Sequence, residues 1–150
     1  LVQPEDYIVI QTEMVNDHRI IPTDGGEALP SDMRLWKGDS RGEWEGDTFV
    51  VTTTNFTYLS RFNGTGENMT LTERFTRLDE DRLEYEYTVD DPESFEDKWT
   101  AVVEMKATDA DLFEYACHEG NYAMPLMLSG ARKQEAAGIE DDTWLLSWSR

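Results

Sequence analysis

The chain has one cysteine, Cys117, so no disulfide can form within it. It has two histidines, His18 and His118, far apart in sequence. Even with Asp17 beside His18 they fall short of the three-ligand spacing of a zinc site, and no metal is assigned. Basic residues are scarce: 13 Lys and Arg stand against 32 Asp and Glu, a formal net charge of -19. Such a surface repels phosphate backbones and anionic lipid, which excludes nucleic acid as a partner. No apolar run is long enough to cross a bilayer, so no membrane span is expected. No EF-hand loop, phosphate loop, nucleophile elbow or dinucleotide fingerprint occurs, and no cofactor is expected. Carboxylates spread along the whole chain read as a solvated acidic surface. No basic and apolar leader opens the chain and Leu1 is not an initiator Met, which reads as a start trimmed either by a signal peptidase or by a chosen boundary.

What the chain does contain is β-structure. Within residues 36–56, Glu43-Trp44-Glu45 reads as an incoming strand and Gly46-Asp47 as the hairpin turn. The return strand, residues 48–54, is almost wholly β-branched or aromatic. Residues 7–12 form a short apolar strand, returning through a turn at Asn16-Asp17 to His18 and Ile21 before Pro22. Leu83, Tyr85, Tyr87 and Val89 alternate with Arg82, Glu84, Glu86 and Thr88, the period of a half-buried antiparallel strand. Its predicted partner covers residues 69–78. Trp99, Ala101, Val103 and Met105 line one face of the next strand, and residues 111–117 are read as another. The predicted fold is all-β, a single domain over residues 1–150: an antiparallel meander, barrel or sandwich with one C-terminal helix. Closure into a barrel is favoured, because it removes exposed edges.

Two long polar connections, residues 23–41 and 57–67, interrupt this pattern, and loops of that size are functional or packed over an edge. The helix is predicted over residues 123–138, with Met124, Met127, Leu128 and Ala131 on one stripe, Asn121 as cap, Pro125 in the first turn and Gly138 at the end. After Asp141-Asp142, residues 143–150 form an apolar segment containing Trp144, Leu145, Leu146 and Trp148. It is read as a strand for a sheet edge, of this chain or of a neighbouring copy.

Glu73 is the residue that breaks its own pattern. It shares a face with Met69, Leu71 and Phe75, where a carboxylate acts as a general acid or pairs with an arginine; the pair is favoured, because no second matched carboxylate accompanies it. His118 closes the stretch before the helix and, with Glu73 and Tyr85, makes the catalytic set of an enzyme reading. Cys117 lacks a basic setting and reads as a small buried residue. Trp36, Trp44, Trp99, Tyr85, Tyr87, Tyr115 and Tyr122 either stack on sugars or line a ligand pocket, or fill the core, the usual place of aromatic rows in a small barrel. Three Asn-x-Thr triplets at Asn55, Asn63 and Asn68 surround one loop, read either as a face bearing covalent glycans or as Thr richness beside turn asparagines.

Five blocks carry a family resemblance: HRIIPTDG (18–25), WKGDSRGEWEGDTFVVTTTNF (36–56), ERFTR (73–77), YEYTVDDP (85–92) and EYACHEGNY (114–122). Together they resemble an uncharacterised family of exported bacterial proteins. The resemblance implies an exported β-rich domain and no particular activity. The expectation is a non-enzymatic bacterial protein of the periplasm or cell exterior, glycosylated, homo-oligomeric and assembling through its terminal segments. Two alternatives stand beside it: a small barrel enzyme, lyase or hydrolase, using Glu73 and His118, and a barrel that binds a glycan or small molecule.

Overall fold

Strand β1 (Tyr7–Thr12) pairs antiparallel with β2 (Asp17–Pro22), with Ile8 opposite Ile21. The five strands that follow are β3 (Asp39–Glu45), β4 (Thr48–Thr54), β5 (Thr70–Arg77), β6 (Arg82–Asp90) and β7 (Trp99–Lys106). They form one antiparallel meander in chain order. The structure, a computed structural model, describes residues 2–60, 62–113, 120 and 122–138. The expectations for Cys117, His118 and residues 143–150 lie outside those residues. The chain falls into two units, Leu1–Glu114 and Tyr115–Arg150.

The β3–β4 turn is at Gly46-Asp47 as the sequence predicts, with Gly46 at φ +61°. Alternation then sorts the meander into two faces. The inner face carries Phe49 and Val51 from β4, Leu71, Glu73 and Phe75 from β5, and Tyr85, Tyr87 and Val89 from β6. The outer face carries a cross-strand row of Thr52, Thr72, Thr88 and Thr100, with Thr88 and Thr100 hydroxyls 2.7 Å apart. Charged residues flank that row, as in the Arg74–Glu45 pair at 2.8 Å.

Two covers bury the inner face. The β1–β2 hairpin places Ile8 and Ile21 on Phe49, Val51 and Phe75. Gly42 on β3 permits this approach: a side chain there would collide with the Phe49 ring and meet Ile21 Cγ2 at 3.0 Å. The second cover is the loop after β4, whose Phe56 and Met69 pack with Val89. The long connection 23–38 is pinned rather than loose. Asn55, at φ +58°, donates its side-chain amide to the carbonyls of Leu29, Pro30 and Met33, and the Asp39 carboxylate accepts the Leu29 N–H at 2.9 Å.

Two expectations need correction. The meander is open, not closed into a barrel, because among the described residues β7 pairs only with β6 and the two covers bury the inner face instead. Residues 111–113 belong to no strand. Pairing stops at Ala107 N–H to Asp81 O, and Thr108 then caps the Ala110 N–H in a local turn, so the ladder is not continued. The helix α1 (Ala123–Ala136) forms where the sequence predicts it and is followed by Gly138 at φ +65°, with Met124, Met127 and Leu128 of its apolar stripe exposed.

Asp91, just past β6, is 1% exposed and accepts the N–H groups of Gly66 at 2.6 Å and Glu93 at 3.2 Å. Burial pushes its carboxyl up, but the donors from Gly66, Ser94 and Glu93 outweigh burial and leave it below the ordinary carboxylate value. The folded state therefore binds this proton less readily than the unfolded chain does. Its contribution is complete above the unfolded value of 3.8 and is lost as pH falls through the lower folded value. Asp91→Asn is expected to cost about 1.5–3 kcal/mol at neutral pH, the range for hydrogen bonds to a charged group, and to flatten the stability profile below pH 3.8. Urea denaturation across pH 2.5–7 (~0.5-unit steps) checks this; an unchanged acid slope would show that another group carries it.

Candidate functional site

The β5 alternation that buries Phe75 also turns Glu73 inward, where it is 3% exposed. Directly opposite stand Val51 and Tyr87, which offer no countercharge. The countercharge comes from the covering hairpin. Arg19 shares the inward face of β2 with Ile21, and its Nη2 donates to Glu73 Oε1 at 3.0 Å while Nη1 stands 2.7 Å from Oε2. Tyr85 Oη donates to the same Oε1 at 2.8 Å. Oε2 accepts no well-aligned hydrogen bond from the described residues, so its contact with Arg19 is an ion pair of imperfect geometry. The expected arginine pairing of Glu73 is thus present, with a tyrosine added.

The Tyr85 phenol is raised well above its ordinary value, first by burial and then by the charge of Glu73 and the hydrogen bond to it. Tyr85 therefore stays protonated and is a fixed donor. Its ring stacks on Phe75 at 4.9 Å and on Tyr87 at 5.5 Å, which holds the hydroxyl on Glu73.

Tyr85 borders two cavities. One, of about 440 Å³, contains Glu73 and Arg19 with His18, Lys37 and Met105 along its wall. Lys37 is held there by Asp17 and by the His18 carbonyl. The other, of about 580 Å³, is lined by Trp36, Phe56, Phe62, Leu71 and Tyr87. Phe62 meets Tyr87 edge-on at 6.0 Å and stacks on Trp99 at 6.1 Å. Trp36 is 68% exposed at the rim. Ser60, also in this wall, spends its hydroxyl on the Trp36 carbonyl. Among the described residues, therefore, the second cavity is mainly apolar, with few free hydrogen-bonding groups.

The structure brings Glu73 and Tyr85 together; their expected companion His118 lies outside the described residues. His18 stands in the Glu73 cavity wall, and among the described residues no cluster of metal-ligating side chains is formed. Arg41 pairs with Asp39 at 3.1 Å. The three asparagines differ. Asn55 uses its amide nitrogen on three carbonyls, the nitrogen a glycan would need. Asn68 is exposed and bonded to Arg34 and Glu93. Asn63 is exposed on a loop tip at φ +50°.

Sequence reasoning did not single out Arg19 or Phe62. The signal for Arg19 is period two: it stands two residues before the fully buried Ile21 on the same strand face. Phe62 sits in a turn-rich loop, where no periodicity marks it. Compared with known proteins, the chain matches no family model, no curated protein and no solved structure.

Proposed function

We propose that the domain is a non-enzymatic binding protein whose inner sheet face takes a small, flat, mainly apolar ligand. The observation that carries this reading is the 580 Å³ aromatic cavity beside the buried Glu73–Arg19–Tyr85 cluster. Aromatic rings at 5–6 Å spacing offer π faces and edges to a planar guest. Tyr87 and Leu71 give a rigid floor, since both sit on strands. Trp36 and Phe62 come from loops and form the adjustable wall. A sugar is a poorer fit, because its hydroxyls need partners and the wall supplies few. The same cluster argues for binding over acid catalysis. Arg19 already supplies the countercharge to Glu73, and Tyr85 is locked as its donor.

The expected result is saturable binding of a planar probe such as 1-aminoanthracene, read by its fluorescence. Trp36→Ala and Phe62→Ala should each weaken it at least tenfold. Trp44→Ala, at the far end of β3, should not. A probe that binds equally to all four proteins would remove the cavity as the site.

The resemblance of the sequence blocks supports an exported, bacterial setting. Asn63 is the sequon position whose exposure best suits a glycan, and intact mass of the protein from its native source tests that. A second reading, self-association, is favoured by the edge of β7, which pairs with no strand other than β6 among the described residues.

A further inference from the structure

Edge strands normally carry charges, bulges or covers that block further pairing. In this sheet one edge is guarded and the other is not. The β3 edge carries Asp39, Arg41, Glu43 and Glu45, and β2 packs beside it. The β7 edge runs Trp99-Thr100-Ala101-Val102-Val103 without a charge, and only Glu104 and Lys106 follow. It is eight residues long, paired with β6 on one side and with no described strand on the other. Val102, Val103 and Met105 are 57%, 45% and 41% exposed. Among the described residues this edge has a row of backbone donors and acceptors with no strand partner, together with apolar side chains.

We infer that this edge accepts residues 143–150 of a second copy of the chain as an added antiparallel strand. Three features of the sequence fit that occupant. The first is length: TWLLSWSR has eight residues, the length of β7. The second is alternation. With Leu146 opposite Val103, Trp144 falls opposite Met105 and Trp148 opposite Ala101, all on the inner apolar face. Ser147 and Ser149 then fall opposite Val102 and Thr100, extending the threonine row of the outer face. The third is charge. This register sets Arg150 opposite Trp99, where its guanidinium can lie against the ring. Main-chain bonds supply affinity in strand addition and alternate side chains supply choice of partner.

The inference stands apart from the ligand reading, because it uses the sheet edge and not the aromatic cavity. Sedimentation velocity on the full chain should give a concentration-dependent species larger than the monomer. The chain lacking residues 143–150 should sediment as a monomer with unchanged β-sheet circular dichroism. A labelled peptide of sequence TWLLSWSR should bind that shortened chain one to one. Val103→Asp, at an exposed position, should weaken the peptide at least tenfold without unfolding the sheet. A monomeric full chain, a shortened chain that keeps the larger species, or a peptide indifferent to Val103→Asp would each overturn the inference.

Discussion

Replacing Arg19 with alanine is expected to destabilise the protein by about 3 kcal/mol, the lower part of the 3–5 kcal/mol range for stripping a partner from a buried ion pair. Glu73 would keep only the Tyr85 hydroxyl, with its side chain 4% exposed and no other cation opposite. The lower part of the range applies because the Arg19 side chain is 22% exposed, so water can follow it out. The double variant Arg19→Met with Glu73→Gln should recover most of the loss. Glutamine keeps an acceptor for Tyr85 and removes the uncompensated charge. Urea unfolding of the three proteins decides it. If Arg19→Ala costs under about 1 kcal/mol, or the double variant is worse than the single, the pair is not what holds the hairpin to the sheet.

The second large effect is expected at Ile21→Ala, about 2–5 kcal/mol. Ile21 is fully buried and fills the space that Gly42 leaves open, against Phe49. A methyl group in its place leaves a hole ringed by Phe49, Val51 and Phe75, and the sheet strands behind them are hydrogen-bonded and cannot collapse inward. Ile20→Ala is the control. Its side chain is 56% exposed on the other face of β2, and the change should stay within about 0.5 kcal/mol. Equal losses at the two positions would mean that β2 does not dock through the face described.

Strand identity was legible because period two is local. Tyr85, Tyr87 and Val89 announce their face within a few residues, and Gly46-Asp47 announces its turn within two. The inward turn of Glu73 followed from the same rule. What lay beyond it was partner choice. Arg19 reaches Glu73 across 54 residues, and nothing in either strand names the other. Closure failed for a related reason: edge avoidance argues for a barrel only if no other element can bury the inner face. Here a hairpin and a loop do so, and neither role is visible in a pattern of apolar residues. Asn55 illustrates a further confusion. The same Asn-x-Thr triplet that signals a glycan also describes an asparagine in a left-handed turn, whose amide ties down a loop.

The strand order β3-β4-β5-β6-β7 also has a kinetic meaning. Every pairing in the meander joins sequence neighbours, so the sheet can grow hairpin by hairpin, through short turns at β3–β4 and β5–β6 and through the longer connection 55–69 at β4–β5. Docking of the β1–β2 hairpin is different: it bridges a long separation, and its entropy is recovered only once the sheet surface exists. The hairpin is thus expected to close late, as a latch on a preformed sheet. In stopped-flow experiments the Ile21→Ala loss should appear mainly as faster unfolding, with the folding rate little changed. Slowed folding would instead place the latch in the nucleus, and the order of assembly would be reversed.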